Sequence, residues 1–188
     1  MGRVSQAQAR ENRERIVATA AQLFRERGVS GVSVADVMAE AGLTHGGFYK
    51  QFASKDALIA EAVTQAFTEQ AAALRTDQQP ADFLDTYLSP EHRDHPGGGC
   101  PSAGFGGDVA RSGGGEETRM AYAKGVEAFA THLGRTGEPD LATLSTMVGA
   151  LILARATAGT DLSGQILAAA RAALGAPPAP GCEGVSRS

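Results

Sequence analysis

Ser33-Val-Ala-Asp-Val-Met-Ala-Glu-Ala-Gly-Leu-Thr-His-Gly-Gly-Phe-Tyr-Lys-Gln-Phe-Ala-Ser-Lys55 reads as two short helices joined by a turn, with another helix starting at its end. Ser33 and Asp36 have the spacing of a capping box ahead of the apolar positions Val34, Val37 and Met38. Gly42 supplies the sharp turn of a helix-turn-helix. In the second helix Phe48 and Phe52 stand four residues apart and make one inward face. The remaining positions, Thr44, His45, Gly46, Gly47, Tyr49, Lys50 and Gln51, form a compact polar face of the kind that lies in a DNA groove.

Two residues in this stretch conflict with a plain helical hairpin. Glycine inside a helix costs about 1 kcal/mol relative to alanine, so Gly46 and Gly47 weaken a short helix unless something must approach its backbone closely. Lys55 follows the N-cap candidate Ser54 and so places a cation in a first helical turn, where the macrodipole opposes it. A phosphate at that point would reverse the sign of the effect.

Upstream, residues 8–27 form an amphipathic helix with the apolar stripe Ile16, Ala20, Leu23 and Phe24, basic Arg25 and Arg27 in its last turn, and Gly28 placed for a left-handed cap. Ile16-Val-Ala-Thr-Ala-Ala-Gln-Leu-Phe-Arg-Glu-Arg-Gly28, Val34-Ala-Asp-Val-Met-Ala-Glu-Ala-Gly42 and Gly47-Phe-Tyr-Lys-Gln-Phe-Ala-Ser-Lys-Asp-Ala-Leu58 together resemble the DNA-binding domain of the TetR family of transcriptional regulators. The resemblance covers about residues 10 to 60. It implies base-edge contacts at His45 and Gly46 and phosphate contacts at Tyr49 and Lys55. Ser33 offers an amide and a hydroxyl to the DNA backbone, while Thr44, Gly47 and Lys50 complete the DNA-binding set. Arg3, Arg10 and Arg13 either form a basic N-terminal arm or begin an ordinary solvated helix.

The 188 residues carry a net charge of −4, unevenly spread. Residues 1–60 hold eight Lys and Arg against six acids, and the remainder nine against fifteen, as expected of a DNA-facing head on an acidic body. No apolar run reaches membrane-spanning length, and the N-terminus lacks the apolar core of a signal peptide. Cys100 and Cys182 do not make a disulfide framework. A soluble, cytoplasmic protein is expected.

The expected fold is all-α. A three-helix helix-turn-helix DNA-binding domain spans 1–56, a helical ligand-binding and dimerisation domain spans 57–175, and a disordered tail covers 176–188. Helical patterns run over 55–75, 81–88, 101–111, 116–134, 140–157 and 162–174, with breaks at Gln78-Gln-Pro80 and Ser112-Gly-Gly-Gly115 and a loop at 89–99. The 116–134 helix is expected to show Met120, Ala123, Val126 (or Glu127) and Ala130 on one face, with Phe129 beside it. The last two helices are rich in Ala and Leu with little charge. The family resemblance implies a homodimer through them, with Leu144, Val148, Leu151, Ile152, Ile166, Leu167 and Ala170 at the interface and two recognition helices for two half-sites of a pseudo-palindromic operator.

The body's interior is expected to hold a small-molecule inducer, as the resemblance implies, with Phe67, Phe83, Tyr87, Cys100, Phe105, Met120, Phe129 and Met147 as candidate lining. Pro101 suits the first position of a helix, which makes Cys100 its N-cap and exposes the thiol to the positive helix end. That environment offers a thiolate for oxidation or attack on an electrophile. His92, His95 and Cys100 carry metal-ligating atoms but no fourth ligand, which sustains a competing reading as a metal-binding protein or enzyme. No nucleophile, base and orienting residue are arranged for catalysis, and no cofactor motif is present, since the glycine clusters lack the Gly-Lys-Ser/Thr signature of a phosphate loop. The expected function is a repressor released from its operator by an inducer or by modification of Cys100.

Overall fold

The computed structural model of the chain describes residues 6–74, 80–111, 113–134 and 137–175, which contain helices and no strand. The helices are α1 (Gln6–Arg27), α2 (Val34–Glu40), a 3-10 helix (His45–Lys50), α3 (Lys55–Leu74), α4 (Pro80–Tyr87), α5 (Pro90–Asp94), α6 (Pro101–Ala110), α7 (Gly115–Leu133), α8 (Leu141–Ala156) and α9 (Asp161–Gly175). The expected tail with Cys182, Arg3, and the break at 78–79 lie outside the described residues. No described helix is long and apolar enough to cross a membrane.

Two apolar cores organise the fold. The first joins the α1 stripe Ile16, Ala20, Leu23 and Phe24 to Val37 and Met38 of α2, to Phe48 and Phe52, and to Leu58, Ile59 and Val63 of α3. Phe105 and Val109 of α6 belong to this core too, so the head rests on α6 as well as on α3. The second core gathers Tyr87, Leu88, Phe129, Leu144, Met147, Leu151 and Leu167 from α4, α7, α8 and α9. The 20 residues of α3 span about 30 Å and pack along both α1 and α7, which ties the two cores together.

Local chemistry sets the element ends. Ser33 caps α2 with the full reciprocal box: its Oγ accepts from Asp36 N (3.1 Å) and its own N–H donates to Asp36 Oδ2 (2.8 Å). The Ser33 hydroxyl also donates to Asp36 Oδ2 (2.6 Å), and this bond, with that of the Ser33 N–H, holds the Asp36 carboxyl below its usual pKa. Gly28 and Gly42 take the left-handed conformation that ends α1 and turns α2 toward the 3-10 helix (φ +74° and +67°).

Three expectations are corrected. The 89–99 stretch is not all loop, because Ser89 caps the single-turn-scale helix α5, with Pro90 in its first turn. In α7 the inward residues are Thr118, Gly125, Phe129 and Ala130, while Met120 and Ala123 are exposed. Gly125 sets that phase: a Cβ there would overlap the ring of Phe67, so α7 meets α3 at its glycine. Four of the expected dimer residues, Leu144, Leu151, Leu167 and Ala170, are buried within the protomer, because α8 and α9 use them to close the second core.

Candidate nucleic-acid interface and ligand cavity

The recognition element is a 3-10 helix rather than the α-helix its spacing predicts. Two successive glycines give little α-helical preference, while Phe48 and Phe52 pin the segment from below. Phe48 is fully buried, Phe52 nearly so, and their rings stack at 5.4 Å. Thr44, His45, Gly46, Tyr49 and Lys50 are exposed, and Tyr49 is the most exposed aromatic residue of the chain's described part at 67%. Its ring meets the edge of His45 at 6.1 Å and that of Phe48 at 5.2 Å. A Cβ at Gly46 would touch nothing within 4 Å, and one at Gly47 would make only ordinary contact with Met38 and Thr44. Neither glycine has positive φ. Nothing inside the protomer therefore requires Gly46, and the open side faces solvent.

Lys55 has internal partners, which corrects the expectation that only a phosphate explains it. Its ammonium donates to the carbonyls of Val29 (2.7 Å) and Val32 (2.6 Å) and lies 5.8 Å from the Phe24 ring centroid. The cation stitches α3 to the 28–33 loop and so sets the start of α2. Arg13 is likewise engaged, donating to Gln51 O and Glu61 and lying over the Phe52 ring. It braces the end of the recognition segment instead of serving as part of a loose basic arm. Arg10 pairs with Glu14 on the α1 surface.

Below the head, α1, α3, α4, α5 and the start of α6 enclose a cavity of about 630 Å³, a size suited to a small organic ligand. Of the expected lining residues, Phe83, Tyr87 and Cys100 reach it. Phe67 and Phe105 belong to the first core, Phe129 and Met147 to the second, and Met120 is on the surface. Aromatic residues at helical spacing mark burial and not which burial is beside a void. Arg25, Glu69 and Gln70 line the cavity without any signal in the helical pattern that could single them out, because they arrive from the head-side helices α1 and α3.

Cys100 is the N-cap of α6, as its place before Pro101 predicts. It is 4% exposed, and its Sγ accepts from Gln70 Nε2 at 3.5 Å. His92 is a strut. Its Nδ1–H donates to Tyr87 O (2.7 Å) and its Nε2 accepts from the Cys100 N–H (3.0 Å), which fixes the neutral tautomer. Burial lowers its pKa, partly opposed by the bond to Tyr87. With both ring nitrogens held by backbone, His92 has no lone pair left for a metal, and no group of three potential ligands converges among the described residues. His95 turns its Nδ1 to Glu91 O. Burial likewise raises the pKa of Tyr87 well above its ordinary value and that of Tyr122 to about 12.

The ten-residue helix α6 connects cavity to head. Its first end is Cys100. Gly104 lets it press on α1, since a Cβ there would come within 2.8 Å of Arg25 Cγ. Near its far end the Asp108 carboxylate accepts from the Val29 N–H at 3.0 Å. Val29 belongs to the same loop that Lys55 holds.

Residues 16–62 match the family described as bacterial regulatory proteins, tetR family. The head of this chain is therefore of the TetR type. The chain is 36% identical over 52 residues to the uncharacterized HTH-type transcriptional regulator YerO of Bacillus subtilis (strain 168). It is also 36% identical over 61 residues to the HTH-type transcriptional regulator AcrR of Shigella flexneri. Those matched stretches span 28% and 32% of this chain but only 18% and 28% of the relatives. The fold extends the likeness to the body. A TetR transcriptional regulator from Chloroflexus aurantiacus J-10-FL superposes with TM-score 0.63 at 25% identity, covering 90% of this chain and 94% of that one. Escherichia coli NemR in its reduced form gives 0.64 at 22% identity, over 85% and 95% of the two chains. The segment His45–Lys50 lies inside the stretch that the family model matches.

Proposed function

We propose that this TetR-family regulator is a repressor that holds a pseudo-palindromic operator as a homodimer and releases it when a small molecule occupies the cavity. The observation that carries the DNA-binding part is Gly46: an exposed glycine with ordinary φ and no internal neighbour, between a buried Phe pair and exposed His45 and Tyr49. Its missing side chain leaves room for an outside partner. In this reading Thr44, His45, Gly46 and Gly47 approach base edges, Tyr49 and Lys50 meet phosphates, and the Ser33 cap presents the start of α2 to the backbone. Lys55 acts mainly by shaping the loop.

Homodimerisation is supported by the outward side of α8. Ala142, Thr146, Gly149 and Leu153 recur at helical spacing there, with Ile152 beside them, and Ile152 and Leu153 are 43% and 56% exposed. Small residues let a second α8 come close, and two copies would supply two heads. Of the interface residues expected from sequence, Ile152, Val148 and Ile166 remain available to it.

Release follows from α6. A ligand beside Cys100 that shifts this helix also moves Asp108 and the Val29 loop, and it releases DNA to the extent that it prefers the shifted state. An electrophile entering the cavity meets the Cys100 thiol, so modification of Cys100 would act through the same helix.

The test selects bound genomic fragments and then titrates the operator over a salt series. Tyr49→Phe and Lys50→Gln are expected to weaken binding, and Lys50→Gln to make the salt slope shallower by about 0.9. Unchanged affinity and slope in both variants would refute the docking surface.

A further inference from the structure

The cavity wall is mostly apolar, yet its buried polar atoms include donors short of an acceptor. Arg25 has a side chain 6% exposed and one long ion pair, 3.5 Å to Glu69, while its Nε–H has no partner among the described residues. The Tyr87 hydroxyl, on a residue 4% exposed, has no oxygen or nitrogen partner and is left with the weak acceptor Sγ of Cys100. Gln70 spends an amide proton on the weak acceptor Sγ of Cys100. Arg25, Gln70, Tyr87 and Cys100 all line this one cavity.

A buried guanidinium whose one ion pair is long is under-compensated, and a buried hydroxyl with only a thiol to bond recovers little of its desolvation cost. An apolar molecule would fill the space and leave both costs standing. A cation would compete with Arg25 for Glu69 and leave the guanidinium worse off. A carboxylate answers both, because its two oxygens match the guanidinium fork and still accept from a phenol. The other carboxylates at the cavity do not already fill this role: Glu69 is half-exposed and makes the one long contact, and Glu91 is exposed.

We propose that the cavity takes an amphipathic small carboxylate, its acid group received by Arg25 and the Tyr87 hydroxyl and its apolar part lying against Leu74 and Phe83. The proposal names the ligand class of the effector site and so rests on the reading of this cavity as that site.

The test titrates the full-length protein by calorimetry with two matched series: 2-naphthoate, methyl 2-naphthoate and (2-naphthyl)methylammonium; decanoate, methyl decanoate and decylammonium. At least one acid is expected to bind about 10-fold or more tightly than its ester and its amine. Tyr87→Phe is expected to lower that acid's affinity about 10-fold, leave the ester unchanged, and leave the unliganded protein about as thermally stable, since it removes a hydroxyl paired only with a weak sulfur acceptor. Arg25→Gln is expected to abolish the preference for acid over ester. Esters or amines binding as tightly as the acids, binding by none of the acids, or a Tyr87→Phe variant that keeps full acid affinity would overturn the proposal. Operator release is read separately. An acid that binds without releasing DNA contradicts the effector reading and leaves the ligand class standing, whereas an ester that binds and releases DNA as well as its acid does the opposite.

Discussion

Gly46 of the head and Gly104 and Gly125 of the body look alike in sequence and do opposite things. Gly46, in the recognition element, has empty space where its side chain would be. Gly104 and Gly125, in α6 and α7, are filled from outside: a Cβ at the first meets the stem of Arg25, and one at the second overlaps the ring of Phe67. Gly104 and Gly125 are therefore packing surfaces that let helices touch, and Gly104 sets Arg25 against α6 at the cavity. In the proposed docking, Gly46 is the gap into which DNA comes. A glycine inside a helix is a cost in both places, and what offsets it tells the two regions apart.

Substitutions can break this contrast. The largest expected effect is at Gly125. Adding one methyl forces α7 from α3, and Gly125→Ala is expected to lower unfolding free energy by about 3 kcal/mol in a denaturant titration. A near-neutral result would mean that the α3–α7 contact is looser than the contrast requires. Next comes Lys55→Met, which removes charged donors from the Val29 and Val32 carbonyls and is expected to cost about 2 kcal/mol of stability. Operator affinity should fall too, but with the salt slope unchanged. A slope shallower by about 0.9 with unchanged stability would return Lys55 to a phosphate contact.

The smallest expected effect lies in the body. His92 has a lowered pKa in the folded protein, so the unfolded chain takes up the proton first as pH falls. Its contribution is fully present above the ordinary value of 6.5 and is lost below it. The carboxyls with lowered pKa, Asp36, Asp94 and Asp140, act from below about 3.8 and leave this window clear. A thermal melting series from about pH 7.5 to about pH 5 should show a modest fall that is flatter in His92→Gln. Parallel curves for the two proteins would remove His92 from its place as a strut.

The same contrast explains what could be read in advance. The head is legible because its signals are local: Ser33 with Asp36, the turn at Gly42, and Phe48 with Phe52 each act within a few residues. The N-cap at Cys100 is legible for the same reason. Ser89-Pro90 carries an equally local signal for α5, hidden only by the surrounding histidines and glycines. The cavity is not local. Whether Phe83 borders a void while Phe105 fills a core depends on where α1 and α3 cross α4 and α6, and no periodicity within one helix encodes that. Leu144 and Leu151 fail as interface residues for a related reason, since an apolar stripe does not say whether its own chain or a second copy will cover it. Lys55 shows the limit from the other side: the oddity of its placement was visible, but its partners, two carbonyls 26 and 23 residues upstream, were not.

The most direct test of the account is Gly46→Ala, measured for both stability and operator affinity on the full-length protein. Alanine has room at this position and should leave the melting temperature unchanged or raise it, by up to about 1 kcal/mol of helix preference. Operator affinity should fall about 10-fold or more, as the new methyl stands where DNA must approach. Full operator affinity with unchanged stability would contradict the account, because the open side of Gly46 would then face nothing that matters.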